Sequence, residues 1–183
     1  MSAVPDRPET SLRPTAISRF TRLAPVFFLL LLCVGCDQAV KSAARRTLAG
    51  SDPVSLMAGI VRLEYAENPG AFLSLGASLP PGARFAGFAV LAAIVAGAVL
   101  VLVLRGREWH ASRVLAFSLI LGGGIGNLLD RFFNGGAVVD FVSIGFGGLR
   151  TGIFNVADLA ITCGALWLIL HTAPWRTPAA PEA

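Results

Sequence analysis

Charge is scarce in this chain. Acidic and basic residues make up 14% of its 183 residues, against an apolar share of 55% and a mean hydropathy of +0.70. A water-soluble domain carries nearer one-quarter charged residues, so the composition excludes an ordinary soluble domain and points to a membrane protein. Cysteine is scarce as well: Cys33, Cys36 and Cys163 are the three, and all lie in apolar runs. An odd number without paired spacing gives no disulfide framework, and Cys33-x-x-Cys36 lacks the strand-to-helix setting of a redox motif. A thiol in such a run behaves as a small buried hydrophobe. Histidine occurs twice, and His110 has no second metal-type residue near it, so it is expected at the membrane interface rather than on a metal. No metal and no other cofactor is expected. Lys/Arg clusters with interleaved aromatics are missing, which argues against a nucleic-acid partner; the formal charge of +4 suits anionic membrane lipids.

What is there is a set of four apolar runs. The first spans Leu23 to about Ala44 and the second, charge-free, Phe85 to Leu104. The third runs from about Val114 to Leu129 and the fourth from about Val156 to Leu170. A crossing of the hydrocarbon core takes roughly 20 residues. Counted only to Cys36 the first run is short, so Asp37 and Lys41 are expected on its last turns, an acid four residues before a base on one helical face. Residues 1–22, with Arg7, Arg13, Arg19 and Arg22, read as a disordered cytoplasmic arm, and residues 171–183 as a disordered tail. The short basic loop at 105–113 belongs on the cytoplasmic side, which puts both termini there. Between the first two runs, Ile60–Tyr65 suits a short strand and Glu67-Asn68-Pro69-Gly70 a turn. The expected fold class is therefore an all-α integral membrane protein. Four transmembrane helices would form one domain, 23–170, with a small periplasmic β-like segment between helices 1 and 2.

Against this background three acids stand out in one stretch, Asp130, Asp140 and Asp158. A carboxylate in or beside hydrocarbon is costly unless it is partnered or used. Asn127 and Asp130 are three apart and face one way, just after Gly122, Gly123, Gly124 and Gly126, where a neighbouring backbone can come close. Asn155 precedes Asp158 by three, the spacing of an N-cap and an acidic N3 residue; there the helix dipole favours the ionised acid. Asp140, among Val138, Val139 and Phe141, has surroundings that favour the protonated form. Two carboxylates in contrasting environments beside one water can activate it against a peptide carbonyl, one taking a proton and the other giving one. The structural alternatives are a plain helix cap for Asp158 and an interfacial ion pair for Asp130-Arg131, the latter favoured over a catalytic Asp130.

Two other classes fit parts of the pattern. A proton-coupled carrier also needs buried acids, but the acids here gather at one membrane edge and no internal repeat is present. Basic residues, an apolar core and Cys33-Val34-Gly35-Cys36 imitate the lipobox of a lipoprotein precursor anchored at Cys36, although three more long apolar segments follow.

The boxes DQAVK at 37–41, ENPGAFLSLG at 67–76, GGGIGNLLDR at 122–131, VVDF at 138–141 and FNVAD at 154–158 resemble, in order and spacing, those of the bacterial lipoprotein signal peptidases. The resemblance covers about residues 23 to 170. It implies an aspartic endopeptidase of the bacterial inner membrane that cuts diacylglyceryl-modified prolipoproteins before the lipidated cysteine, with its site toward the periplasm. By motif, Asp140 and Asp158 match the catalytic dyad. Asp37, Lys41, Asn68, Gly70, Asn127, Asp130, Arg131, Asn155 and Ala157 match positions that bind substrate or shape the site. Phe72 and Leu73 are expected to help cover it, and a monomer is the expected unit.

Overall fold

The computed structural model describes residues 17–70, 78–105 and 111–172. Its elements are α1 (Ile17–Leu48), β1 (Val54–Leu56), a 3-10 turn (Met57–Gly59), β2 (Val61–Asn68), α2 (Pro81–Arg105), α3 (Ala111–Phe133), β3 (Val138–Phe146), β4 (Leu149–Arg150) and α4 (Val156–Thr172). All four apolar runs are helical. Three contain stretches long and apolar enough to cross a membrane: Ala24–Leu48, Gly82–Val99 and Ser112–Phe133. The fourth, α4, has 17 residues, which at 1.5 Å per residue is about 25 Å, somewhat less than a bilayer core.

α3 is the central helix, packed against α1, α2 and α4. Small residues make the close contacts possible. A Cβ on Gly126 would lie 2.6 Å from Asp37 Oδ2, and one on Gly123 would run into the Ala157 carbonyl, so neither α1 nor α4 could pack as it does. Large apolar side chains such as Phe27, Phe28, Leu31, Leu91 and Ile94 point outward, as lipid-facing positions do when the solvent outside is hydrocarbon.

The all-α class needs correction. The strands form one antiparallel sheet in the order β1-β2-β3-β4, and half of it comes from the segment between α3 and α4. β3 is hidden from a local reading because VVDFVSIGF begins with four buried residues in succession and only then alternates. What makes it a strand is the pairing with β2, in which Ala66 lies opposite Asp140 and Asn68 opposite Val138. The expected strand at Ile60–Tyr65 is present but starts one residue later, at Val61, and runs on to Asn68.

The chain is steered into this sheet at both ends. α3 closes with Asn134 N–H on the Asp130 carbonyl (2.7 Å) and Gly136 N–H on the Arg131 carbonyl (2.8 Å). Gly135 and Gly136 take φ of 62° and 96° there, the left-handed conformation that a helix end needs and that glycine adopts freely. After the β3–β4 hairpin the chain returns beside β3, where Phe154 exchanges hydrogen bonds with Val142 at 2.8 and 3.0 Å. α4 therefore starts next to Asp140. α1 extends beyond the expected Ala44 to Leu48, so Asp37 and Lys41 lie more than a turn inside it rather than on its last turns. It also reaches back to Ile17, into the stretch expected as an arm; residues 1–16 and 173–183 lie outside the described ones.

Candidate active site

The expected acids converge at one end of the bundle. Asp140 comes from β3 and is 2% exposed; its Oδ1 accepts the Asn155 Nδ2–H at 2.6 Å and its Oδ2 the Asn68 Nδ2–H at 3.0 Å. Asp158 lies in the first turn of α4, with Oδ1 accepting from Asn127 Nδ2 (2.8 Å) and Oδ2 from the Asn155 backbone N–H (3.3 Å). Each carboxylate thus takes one N–H donor per oxygen and keeps a second lone pair on each for a proton or a water.

The three amides around the acids cannot turn freely. Asn68 Oδ1 accepts the Gly70 N–H at 2.9 Å, which leaves its NH2 for Asp140. Asn155 Oδ1 accepts the Asp158 N–H at 2.9 Å, completing a capping box with the bond to Asp158 Oδ2, as the Asn-x-x-Asp spacing suggests. Asn127 Oδ1 accepts from Lys41 Nζ at 2.9 Å, which leaves its NH2 for Asp158. Asn155 Nδ2 also approaches Asn127 Oδ1 (3.2 Å) and the Val139 carbonyl (3.3 Å).

Behind the acids lies a buried ionic cluster. Lys41, 3% exposed, spends its three ammonium protons on Asp37 Oδ2 (2.8 Å), Asp130 Oδ2 (3.0 Å) and Asn127 Oδ1. Asp37 reaches with its other oxygen to the Ala157 N–H at 2.9 Å, satisfying a free donor at the start of α4. Asp130 accepts the Val139 N–H at 3.0 Å, one residue before Asp140. The cluster therefore ties α1, α3, β3 and the start of α4 together. Removing one member of such a buried set strands its partner's charge and costs about 3–5 kcal/mol.

The interfacial ion pair expected for Asp130-Arg131 does not form. Neighbours on a helix point about 100° apart, so Asp130 turns to Lys41 while Arg131 turns to the loop after β2. There Arg131 Nη2 donates to the Gly70 carbonyl at 2.6 Å, Nη1 to the Asn127 carbonyl at 3.1 Å, and the guanidinium lies 4.0 Å from the Phe88 ring centroid. Arg131 thereby fixes the Asn68–Gly70 turn that supplies Asp140 with a donor.

Gln38 was not among the expected residues. Its Nε2 donates to Asp130 Oδ1 (2.9 Å) and the Gly126 carbonyl (3.2 Å). One step from Asp37 on a helix, it reads as facing elsewhere; its only signal is being a polar side chain beside Asp37 in an apolar run. Phe72, Leu73 and His110 lie outside the described residues.

Burial pushes the Asp140 carboxyl from its ordinary 3.8 up to about 6; the neighbouring Asp158 charge adds to the rise, and the Asn68 and Asn155 donors oppose it. This is the protonation-favouring setting expected from the valines and phenylalanine. The arrangement offers two carboxylates, one with a raised affinity for its proton, joined through Asn155.

A family model described as signal peptidase (SPase) II matches residues 29–173. The lipoprotein signal peptidase of Rhodococcus jostii (strain RHA1) is 36% identical over 176 residues, covering 91% of this chain and 81% of that one. That of Chlorobium phaeovibrioides (strain DSM 265 / 1930) is 38% identical over 154 residues, covering 79% and 87%. A solved structure titled as a bacterial membrane enzyme superposes with a TM-score of 0.73 at 21% identity, covering 88% of this chain and 94% of its own, and so shares the fold. With the family model covering α1 from residue 29 onward, the other three helices and both acid-bearing segments, the chain belongs to the signal peptidase II family.

Proposed function

We propose that this protein is an aspartic endopeptidase of the bacterial inner membrane. It removes the signal peptide from diacylglyceryl-modified prolipoproteins, cutting before the lipidated cysteine. The observation that carries the reading is the pairing of Asp140 and Asp158 through Asn155, inside the stretch that matches the family. Asp140, whose value is raised to about 6, is assigned the proton-donating role. Water between the acids gives a proton to the ionised carboxylate as its oxygen bonds to the scissile carbonyl carbon, while the other acid protonates the carbonyl oxygen. As the resulting gem-diol collapses, the C–N bond breaks, the leaving nitrogen takes the proton held by the pair, and a diol hydroxyl returns its proton to the pair as the new carboxyl forms. No covalent intermediate is formed.

The four helices cross the membrane with both termini in the cytoplasm and the acids toward the periplasm, a reading supported by the basic loop at 105–113. The substrate's acyl chains reach the acids laterally from the bilayer, and the protein acts as a monomer.

The test is cleavage of a precursor peptide by purified protein in liposomes, with and without the diacylglyceryl group. The expected result is a lipidated product whose new N-terminus is the modified cysteine, and no product from the unlipidated peptide. Equal cleavage of both, or solute transport without cleavage, would overturn the reading.

A further inference from the structure

Asn127 presents its amide NH2, not its oxygen, to Asp158, and something must hold it that way. An amide turned by 180° has nearly the same shape but would set oxygen against the carboxylate. The side chains on the far side of the amide are Lys41, whose Nζ is 2.9 Å from Asn127 Oδ1, and Asn155 at 3.2 Å. Asn155 already commits one N–H to Asp140 at 2.6 Å and has the Val139 carbonyl as a further acceptor, so its hold on Asn127 is shared. Lys41 is different. It has no acceptor to offer, and its other two protons are fixed on Asp37 and Asp130, so a turned Asn127 would face an ammonium with its own N–H groups.

We infer that Lys41 is a positioning residue for the acid pair: by holding Asn127 Oδ1 it keeps the Asn127 NH2 on Asp158. The inference rests on the reading of Asp140 and Asp158 as the catalytic acids and assigns Lys41 a role beyond neutralising its neighbours. A side chain that only balanced charge could be removed together with one carboxylate at no cost to turnover.

Lys41→Met alone leaves Asp37 and Asp130 buried without their cation and endangers the fold. The informative protein is the double variant Asp37→Asn/Lys41→Met, which removes one charge of each sign and keeps an oxygen at position 37 for the Ala157 N–H. It is expected to accumulate in the membrane and approach wild-type thermal stability, while kcat for a lipidated precursor falls at least about 30-fold and KM stays within about threefold. Return of kcat to near the wild-type value in the double variant, or a rise in KM that accounts for the whole loss, would overturn the inference. Asp158→Asn in the same assay separates the two layers. Wild-type cleavage by that variant sinks the acid pair itself, whereas its inactivity beside an active double variant sinks only the role of Lys41.

Discussion

Asp140 and Asp158 hang from one residue. The Asn155 side-chain amide donates to Asp140 at 2.6 Å, and its backbone N–H and Oδ1 close a capping box on Asp158. The same residue thus begins α4 and sets the distance between the two acids. These roles can be separated by substitution.

Asn155→Ser keeps an oxygen able to cap the helix but loses the donor to Asp140. Serine and asparagine cap about equally well, so thermal stability should fall by no more than about 1 kcal/mol from that source. Cleavage should fall at least about 100-fold, because Asp140 loses its shorter hydrogen bond and its link to Asp158. Cleavage within tenfold of wild type would mean that Asn155 serves the helix only.

The raised value of Asp140 has a sign that stability measurements can read. With about 6 in the folded state against an ordinary 3.8, the group contributes stability that is complete below about pH 4 and lost as pH rises through about 6. The wild-type Tm in detergent, minus that of Asp140→Asn, should therefore decline between about pH 4 and about pH 7. A difference that grows with pH would indicate a carboxyl held below its ordinary value.

Gly126 and Gly124 are two residues apart on α3 and face different surroundings. Gly126→Ala puts a methyl group against Asp37 and should cost about 1–3 kcal/mol. Gly124→Ala meets nothing within 4 Å and should be neutral or gain up to about 1 kcal/mol, since alanine is the better helix former. Equal effects in a detergent melt would contradict the close approach of α1 to α3.

Arg131→Lys keeps the charge but not the planar fork that spans the Gly70 and Asn127 carbonyls and lies against Phe88. Turnover should fall at least about tenfold through the Asn68–Gly70 turn, with normal accumulation in the membrane. Wild-type turnover would remove Arg131 from the support of Asp140.

Local spacing made much of this legible. The Asp37/Lys41 pair, the common face of Asn127 and Asp130 and the Asn155-to-Asp158 cap are all relations within one helical turn, and the structure has each of them. Relations across the chain were not legible. β3 owes its existence to β2, and the Asn68–Asp140 bond joins residues 72 apart. Asp130 sits beside Arg131 in sequence, yet its cation is Lys41 on α1, because helical geometry turns adjacent side chains away from each other. Gln38 was missed for the same reason: its contacts with Gly126 and Asp130 are on another helix.

The measurement that bears most directly on the acid pair is a cleavage time course with Asp140→Asn, Asp158→Asn and the protein carrying both, each purified and supplied with a lipidated precursor in liposomes. Acids that act as one unit should each be indispensable, so each single variant should lose at least about 1,000-fold in turnover and the double variant should be no slower than the singles. Turnover within tenfold of wild type by either single variant, or losses that multiply in the double, would contradict a shared proton and a shared water.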